Sequence, residues 1–225
     1  MTPRNNACRK FGCLLWDVDG TLIDTTALIV EALDHTYRTF LSRALPPDEI
    51  RAIIGTPLVE QIYALGDPRA FGISPEAMMQ EFIRYYEANK SRERIIETSV
   101  AMLIAGKRAG RLTGLVTSKN REEIANTLPR LAILPYVDCI VCADDVQRPK
   151  PDPEGLLTAM KRLCATPEDT LYIGDTVHDM RAGKSAGVHR CAVAWGAATR
   201  EQLAAEDPEY LLCDPSELAG VLALD

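Results

Sequence analysis

The chain has 225 residues, 47% of them hydrophobic, enough to bury a sizeable core around one sheet. Lys and Arg number 25 against 32 Asp and Glu, a net charge of −7 with no basic run, which argues against nucleic acid or an anionic membrane surface as a partner. No apolar stretch approaches the roughly 20 residues that span a bilayer, and the short apolar run after Arg4, Arg9 and Lys10 falls short of a secretory signal, so a cytoplasmic location is expected.

In chain order, the first element is a strand over residues 12–17. The run Phe11-Gly12-Cys13-Leu14-Leu15-Trp16 is almost continuously apolar, as in a parallel strand covered on both faces. It ends in Asp17-Val18-Asp19-Gly20-Thr21-Leu22, where two carboxylates two residues apart enter a glycine turn. Side chains alternate along a strand, so Asp17 and Asp19 can point together into the crevice where ligands of open α/β sheets bind. Two close carboxylates repel unless a cation or a shared proton compensates, and Mg²⁺ suits hard oxygen donors beside a phosphate. The plain alternative is a solvated turn, since Asp, Gly and Thr are common there.

Residues 25–94 carry helical periodicity almost throughout, broken at Pro46-Pro47, Gly55-Thr56-Pro57 and Gly66-Asp67-Pro68. They predict a four- or five-helix unit inserted after the first strand, with Leu22 to Thr26 and Glu93 to Ser99 as its crossings and hinges. Tyr37, Tyr63, Tyr85 and Tyr86 are expected in that unit's own core rather than against a ligand. Beyond it, strands over 111–117, 138–142, 169–174, 189–194 and 210–213 alternate with helices over 98–109, 120–132, 154–164, 177–186 and 215–223. This alternation is that of βαβ units on a parallel sheet. The domain division is therefore 1–23 with 97–225 for a doubly wound, Rossmann-like α/β core, and 24–96 for a helical cap.

Three of the later strands run into polar clusters. These are Thr117-Ser118-Lys119-Asn120, then Asp144-Asp145 followed by Arg148-Pro149-Lys150-Pro151-Asp152-Pro153, and Gly174-Asp175-Thr176-Val177-His178-Asp179. Each has a local reading: Thr117 and Ser118 can cap the next helix, Asp175 and Asp179 can complement a helix N-terminus, and Lys150 can sit on a stiff surface connection. That stiffness can equally hold the ammonium in place, with a cis Lys150-Pro151 bond. His178 is expected to be exposed or behind the reacting groups.

The four clusters, in this order, resemble the motifs of the haloacid dehalogenase-like hydrolases, and the nearly full-length likeness is to capped small-molecule phosphatases such as phosphoglycolate phosphatases. The resemblance implies Asp17 as nucleophile and Asp19 as general acid and base. It implies Thr117, Ser118, Gly20 and Lys150 around the phosphoryl group, and Mg²⁺ held by Asp17, Asp19, Asp175 and Asp179. Arg51 and Gly55 to Leu58 resemble the cap segment that faces substrate in related phosphatases. The expected activity is Mg²⁺-dependent hydrolysis of a small phosphorylated metabolite through a phospho-aspartate, by a monomer or homodimer. A β-phosphoglucomutase-like phosphomutase and an inorganic pyrophosphatase share these motifs, and a silent metabolite-binding module is the non-enzymatic alternative.

Seven cysteines, at 8, 13, 139, 142, 164, 191 and 213, suit reduced thiols. The Cys139-x-x-Cys142 spacing lies in an apolar run with no second pair, so core packing is expected rather than zinc.

Overall fold

The computed structural model describes residues 11–223; Cys8 and the basic residues Arg4, Arg9 and Lys10 lie outside the described residues. The first expected strand is β1 (Cys13–Trp16), fully buried along its length. Four further strands stand beside it or beyond, β4 (Leu112–Val116), β5 (Cys139–Val141), β6 (Thr170–Gly174) and β7 (His189–Val193), and β8 (Tyr210–Leu212) closes one edge. Every pairing is parallel, in the spatial order β5-β4-β1-β6-β7-β8. The chain leaves β1 toward one edge, then returns across it to β6, so the order reverses beside β1. That reversal opens a crevice at the strands' carboxyl ends.

Helices α5 (Glu97–Arg108), α6 (Arg121–Leu131), α7 (Glu154–Leu163), α8 (Val177–Ala186) and α10 (Leu218–Leu222) connect or cover the strands. Their starts are written locally. Asn120 with Glu123, and Thr176 with Asp179, form reciprocal capping boxes at α6 and α8. One face of the sheet packs Leu14, Trp16, Leu115 and Ile173 against α5 and α6, and the other packs Leu15, Val116 and Tyr172 against α7 and α8. Cys139 and Cys142 are buried in these layers as free thiols. Strand and helix limits differ from expectation by a residue or so, except that 215–217 is a 3₁₀ turn ahead of α10. The pattern missed α9 (Arg200–Ala205), a six-residue helix too short to show periodicity.

Between β1 and α5 the chain forms α1 (Thr26–Leu41), α2 (Pro47–Arg51), α3 (Leu58–Ala64) and α4 (Pro75–Asn89). In α1, buried Leu28, Ile29, Ala32, Leu33, Thr36 and Tyr37 trace one helical stripe. These helices share a hydrophobic cluster of their own, built around Leu33, Tyr37, Ile50, Ile62, Met78 and Phe82. The chain leaves and rejoins the sheet region through a two-stranded antiparallel ribbon, β2 (Ile23–Asp24) with β3 (Arg94–Ile95), which the sequence pattern missed. No described helix is long and apolar enough to cross a membrane.

Candidate active site

Asp17 leaves the end of β1 with its N–H bonded to the Ile173 carbonyl of β6, at 2.9 Å, so its carboxylate stands at the mouth of the crevice. Lys150 reaches it from the loop between β5 and α7, across the cis Lys150-Pro151 bond. The buried ammonium lies 2.8 Å from Asp17 Oδ1 and 2.8 Å from Asp179 Oδ1. Val116 O and the Tyr172 hydroxyl, at 3.2 and 3.0 Å, complete its surroundings.

Asp179 is held on both oxygens. Oδ1 also accepts from the Tyr172 hydroxyl at 2.6 Å, while Oδ2 accepts from the N–H and hydroxyl of Thr176 at 3.0 and 2.6 Å. The same Thr176–Asp179 pair caps α8, so helix initiation and carboxylate placement are one device. Asp175, fully buried at the end of β6, accepts from Ala197 N at 2.7 Å and Thr21 Oγ1 at 3.1 Å. Gly20 turns the chain with φ +72°, and a Cβ there would stand 2.1 Å from Asp175 Oδ2. Glycine is required for the backbone to pass so close.

Oxygens of Asp17, Asp175 and Asp179 lie within 4.8 Å of one another. Three carboxylates against one ammonium leave this buried group two negative charges in excess. Burial pushes the Asp17 carboxyl up to about 7, against the pull of Lys150, with the Asp179 charge adding to the rise. Burial and the charges of Asp17 and Asp179 raise Asp175 well above the usual carboxylate range. Asp179 stays below that range, since Lys150 and its hydrogen bonds outweigh its desolvation. Such a group takes up either protons or a cation. Its hard, anionic oxygen donors with a missing double positive charge fit a divalent cation of the Mg²⁺ type.

Asp19 is placed differently. Its Oδ2 is 3.0 Å from Lys119 Nζ and its Oδ1 accepts from Thr25 Oγ1 at 2.8 Å, so its side chain is outside the carboxylate trio. It faces a cavity of about 250 Å³ between the strand ends and the helices, as do Asp17, Ser118, Gly55, Thr56 and Leu58. Thr117 is buried after β4, its hydroxyl accepting from Lys119 N at 3.2 Å, and Ser118 Oγ donates to Gly55 O. Arg51 is not brought to this cavity. Half-exposed and 3.7 Å from Asp48, it borders a separate depression with His178.

Of the tyrosines, Tyr37 is buried and donates to Ile62 O, Tyr85 stacks on His35 at 4.3 Å, and Tyr63 is exposed beneath Arg69. Tyr63 thereby departs from the core role expected of it, whereas Tyr86 keeps that role, buried and stacked on Phe82, and also borders the cavity. Its ring lines the cavity 5.8 Å from Lys119 Nζ, and its hydroxyl donates to Glu93. Lys119 and Tyr172 are the residues whose place in the site sequence reasoning passed over. Lys119 stood within a polar cluster already singled out, whereas Tyr172 is one more apolar position in a strand pattern.

The family model for haloacid dehalogenase-like hydrolases matches residues 14–193. The chain is 34% identical over 218 residues to Pyrophosphatase PpaX of Bacillus velezensis, covering 95% of this chain and 97% of that protein. It is 32% identical over 216 residues to Pyrophosphatase PpaX of Anoxybacillus flavithermus, covering 94% and 96%. A crystal structure from Bacteroides fragilis, described as haloacid dehalogenase-like hydrolase, superposes with a TM-score of 0.81 at 28% identity, over 93% of this chain and all of that one. With its parallel sheet, crevice and acidic cluster, the chain belongs to the haloacid dehalogenase-like hydrolases.

Proposed function

We propose that the protein is a Mg²⁺-dependent phosphomonoester hydrolase that acts on a small phosphorylated metabolite through phospho-Asp17. The observation that carries this reading is the buried trio of Asp17, Asp175 and Asp179 against a single Lys150, an excess of negative charge that suits a divalent cation. Asp17, Asp175 and Asp179 would hold Mg²⁺, which when bound offsets the repulsion between an anionic nucleophile and an anionic substrate.

The Asp17 carboxylate attacks phosphorus and the ester P–O bond breaks, giving an aspartyl-phosphate. Asp19, free of the trio and facing the cavity, gives its proton to the departing alkoxide, then takes one from the water that attacks the aspartyl-phosphate. Inorganic phosphate leaves and the Asp17 carboxylate is restored. Lys150, Thr117, Ser118 and the turn at Gly20 orient the phosphoryl oxygens. We assign residues 24–96 as a cap over the 1–23 and 97–225 core, closing about the β2–β3 ribbon to exclude water. Inorganic pyrophosphate is the second reading, favoured by the names of the 34% and 32% identical relatives.

The test is phosphate release from a panel of phosphorylated metabolites and pyrophosphate, with Mg²⁺ and with chelator, for the parent and Asp17→Asn. Metal-dependent release lost in a folded Asp17→Asn supports the assignment. A variant that keeps normal turnover removes Asp17 as nucleophile.

A further inference from the structure

The cavity in front of Asp17 is where the part of the substrate that departs must sit. Its helical wall is apolar, formed by Ile29, Ile54, Leu58, Phe82, Ile83 and Tyr86. Its charged lining is acidic. Apart from Asp17 it presents Asp19, Glu87, Glu93, Glu122 and Glu123, against two lysines, Lys90 and Lys119. Lys90 Nζ lies 2.7 Å from Glu87 Oε1, and Lys119 Nζ lies 3.0 Å from Asp19 Oδ2 and, when Asp19 carries its proton, still faces the charge of Glu123. Arg130 is paired with Glu93 of the lining. Glu122, which is exposed, is left in excess.

Building on the phosphatase reading above, we infer that the leaving group is uncharged and partly apolar, so that the substrate is the monoester of an amphipathic alcohol rather than pyrophosphate or a phosphorylated carboxylic acid. The two negative charges in excess at the trio are balanced by a divalent cation, which also meets the phosphoryl oxygens; the lining of the cavity beyond offers no comparable positive charge. A second anionic group there would lie among carboxylates that outnumber the lysines of the described lining. An alcohol that departs neutral, carrying the proton given by Asp19, leaves no such charge behind, and its carbon body covers Phe82 and Tyr86.

The experiment compares kcat/KM for benzyl phosphate, phosphoglycolate and inorganic pyrophosphate with saturating Mg²⁺. Benzyl phosphate and phosphoglycolate share an alkoxide leaving oxygen, so their difference reports the cavity. Benzyl phosphate is expected to exceed each of the others by at least about tenfold. Glu122→Lys should raise kcat/KM for pyrophosphate several-fold, an effect that shrinks with added salt. Ile83→Asn, at a half-exposed position of the wall, should raise KM for benzyl phosphate alone. Preference for pyrophosphate or phosphoglycolate, or a substrate ratio that Glu122→Lys leaves unmoved, overturns the inference. Hydrolysis of none of the three, by protein that binds Mg²⁺, would instead overturn the phosphatase reading and the inference with it.

Discussion

Replacing Lys150 by Met removes the only cation among the four buried groups while keeping most of the side-chain volume. At 2.8 Å and an effective dielectric constant near 20, each of its two ion pairs amounts to about 6 kcal/mol of Coulomb attraction. Most of that is offset by the ammonium's own desolvation, and breaking one side of a buried pair costs about 3–5 kcal/mol net. Protonation decides where in that range the loss falls. In the variant both carboxyls lose the ammonium that lowered them, so Asp17, already near 7 in the parent, rises further and takes a proton at neutral pH, and Asp179 rises with it. We expect a loss of about 3 kcal/mol at pH 6–7 in chelator, growing toward about 5 kcal/mol at pH 9 as the Asp17 proton becomes costly to keep. For a domain of this size the smaller figure lowers Tm by about 6–12 °C. Urea unfolding followed by tryptophan fluorescence, at pH 6, 7 and 9, measures it. A variant as stable as the parent at pH 9, or a deficit independent of pH, would refute the claim that this ammonium holds the carboxylates together.

Two more outcomes follow from the same geometry. The folded carboxyl of Asp17 is raised from an ordinary 3.8, so the native state binds the extra proton and chelated protein should lose stability as pH rises from about 4 to about 7. A divalent cation displaces that proton. The Tm increase produced by saturating Mg²⁺ should therefore grow across that pH window, and an increase that is flat with pH would place the cation elsewhere. Gly20→Ala forces a positive-φ strain of about 1–2 kcal/mol and drives a methyl group into Asp175, so calorimetric titration should show weakened Mg²⁺ binding beyond the stability loss. Unchanged Mg²⁺ affinity would mean that Asp175 is not a ligand.

Part of this candidate site was legible because some of its residues follow an apolar run that ends abruptly. Asp17, Thr117 and Asp175 stand directly after β1, β4 and β6, where a parallel strand must surrender its side chains to the crevice. What was not legible depends on contacts between distant segments. Asp19 could be placed near the trio but not turned away from it, because its partner Lys119 lies a hundred residues on. Arg51 sits on a five-residue helix, too short for periodicity to say which way it faces, and it faces outward. The β2–β3 ribbon escaped for a similar reason, since two residues per strand carry no alternation to read.

That ribbon has a mechanical consequence. Ile23 pairs with Ile95 and Asp24 with Arg94, so the outgoing and returning chains are joined at one point instead of leaving the sheet at two separated sites. A paired stalk of this kind resists splaying and shear but yields to twist and bend about a single axis. If residues 24–96 act as the cap proposed above, the helices it carries would turn as one lever, and the apolar wall residues from Ile29 to Tyr86 would move together. It is also a socket. On the cap assignment proposed above, a block of helices of different length or lining would enter and leave the core at this one paired point, between residues 24 and 94.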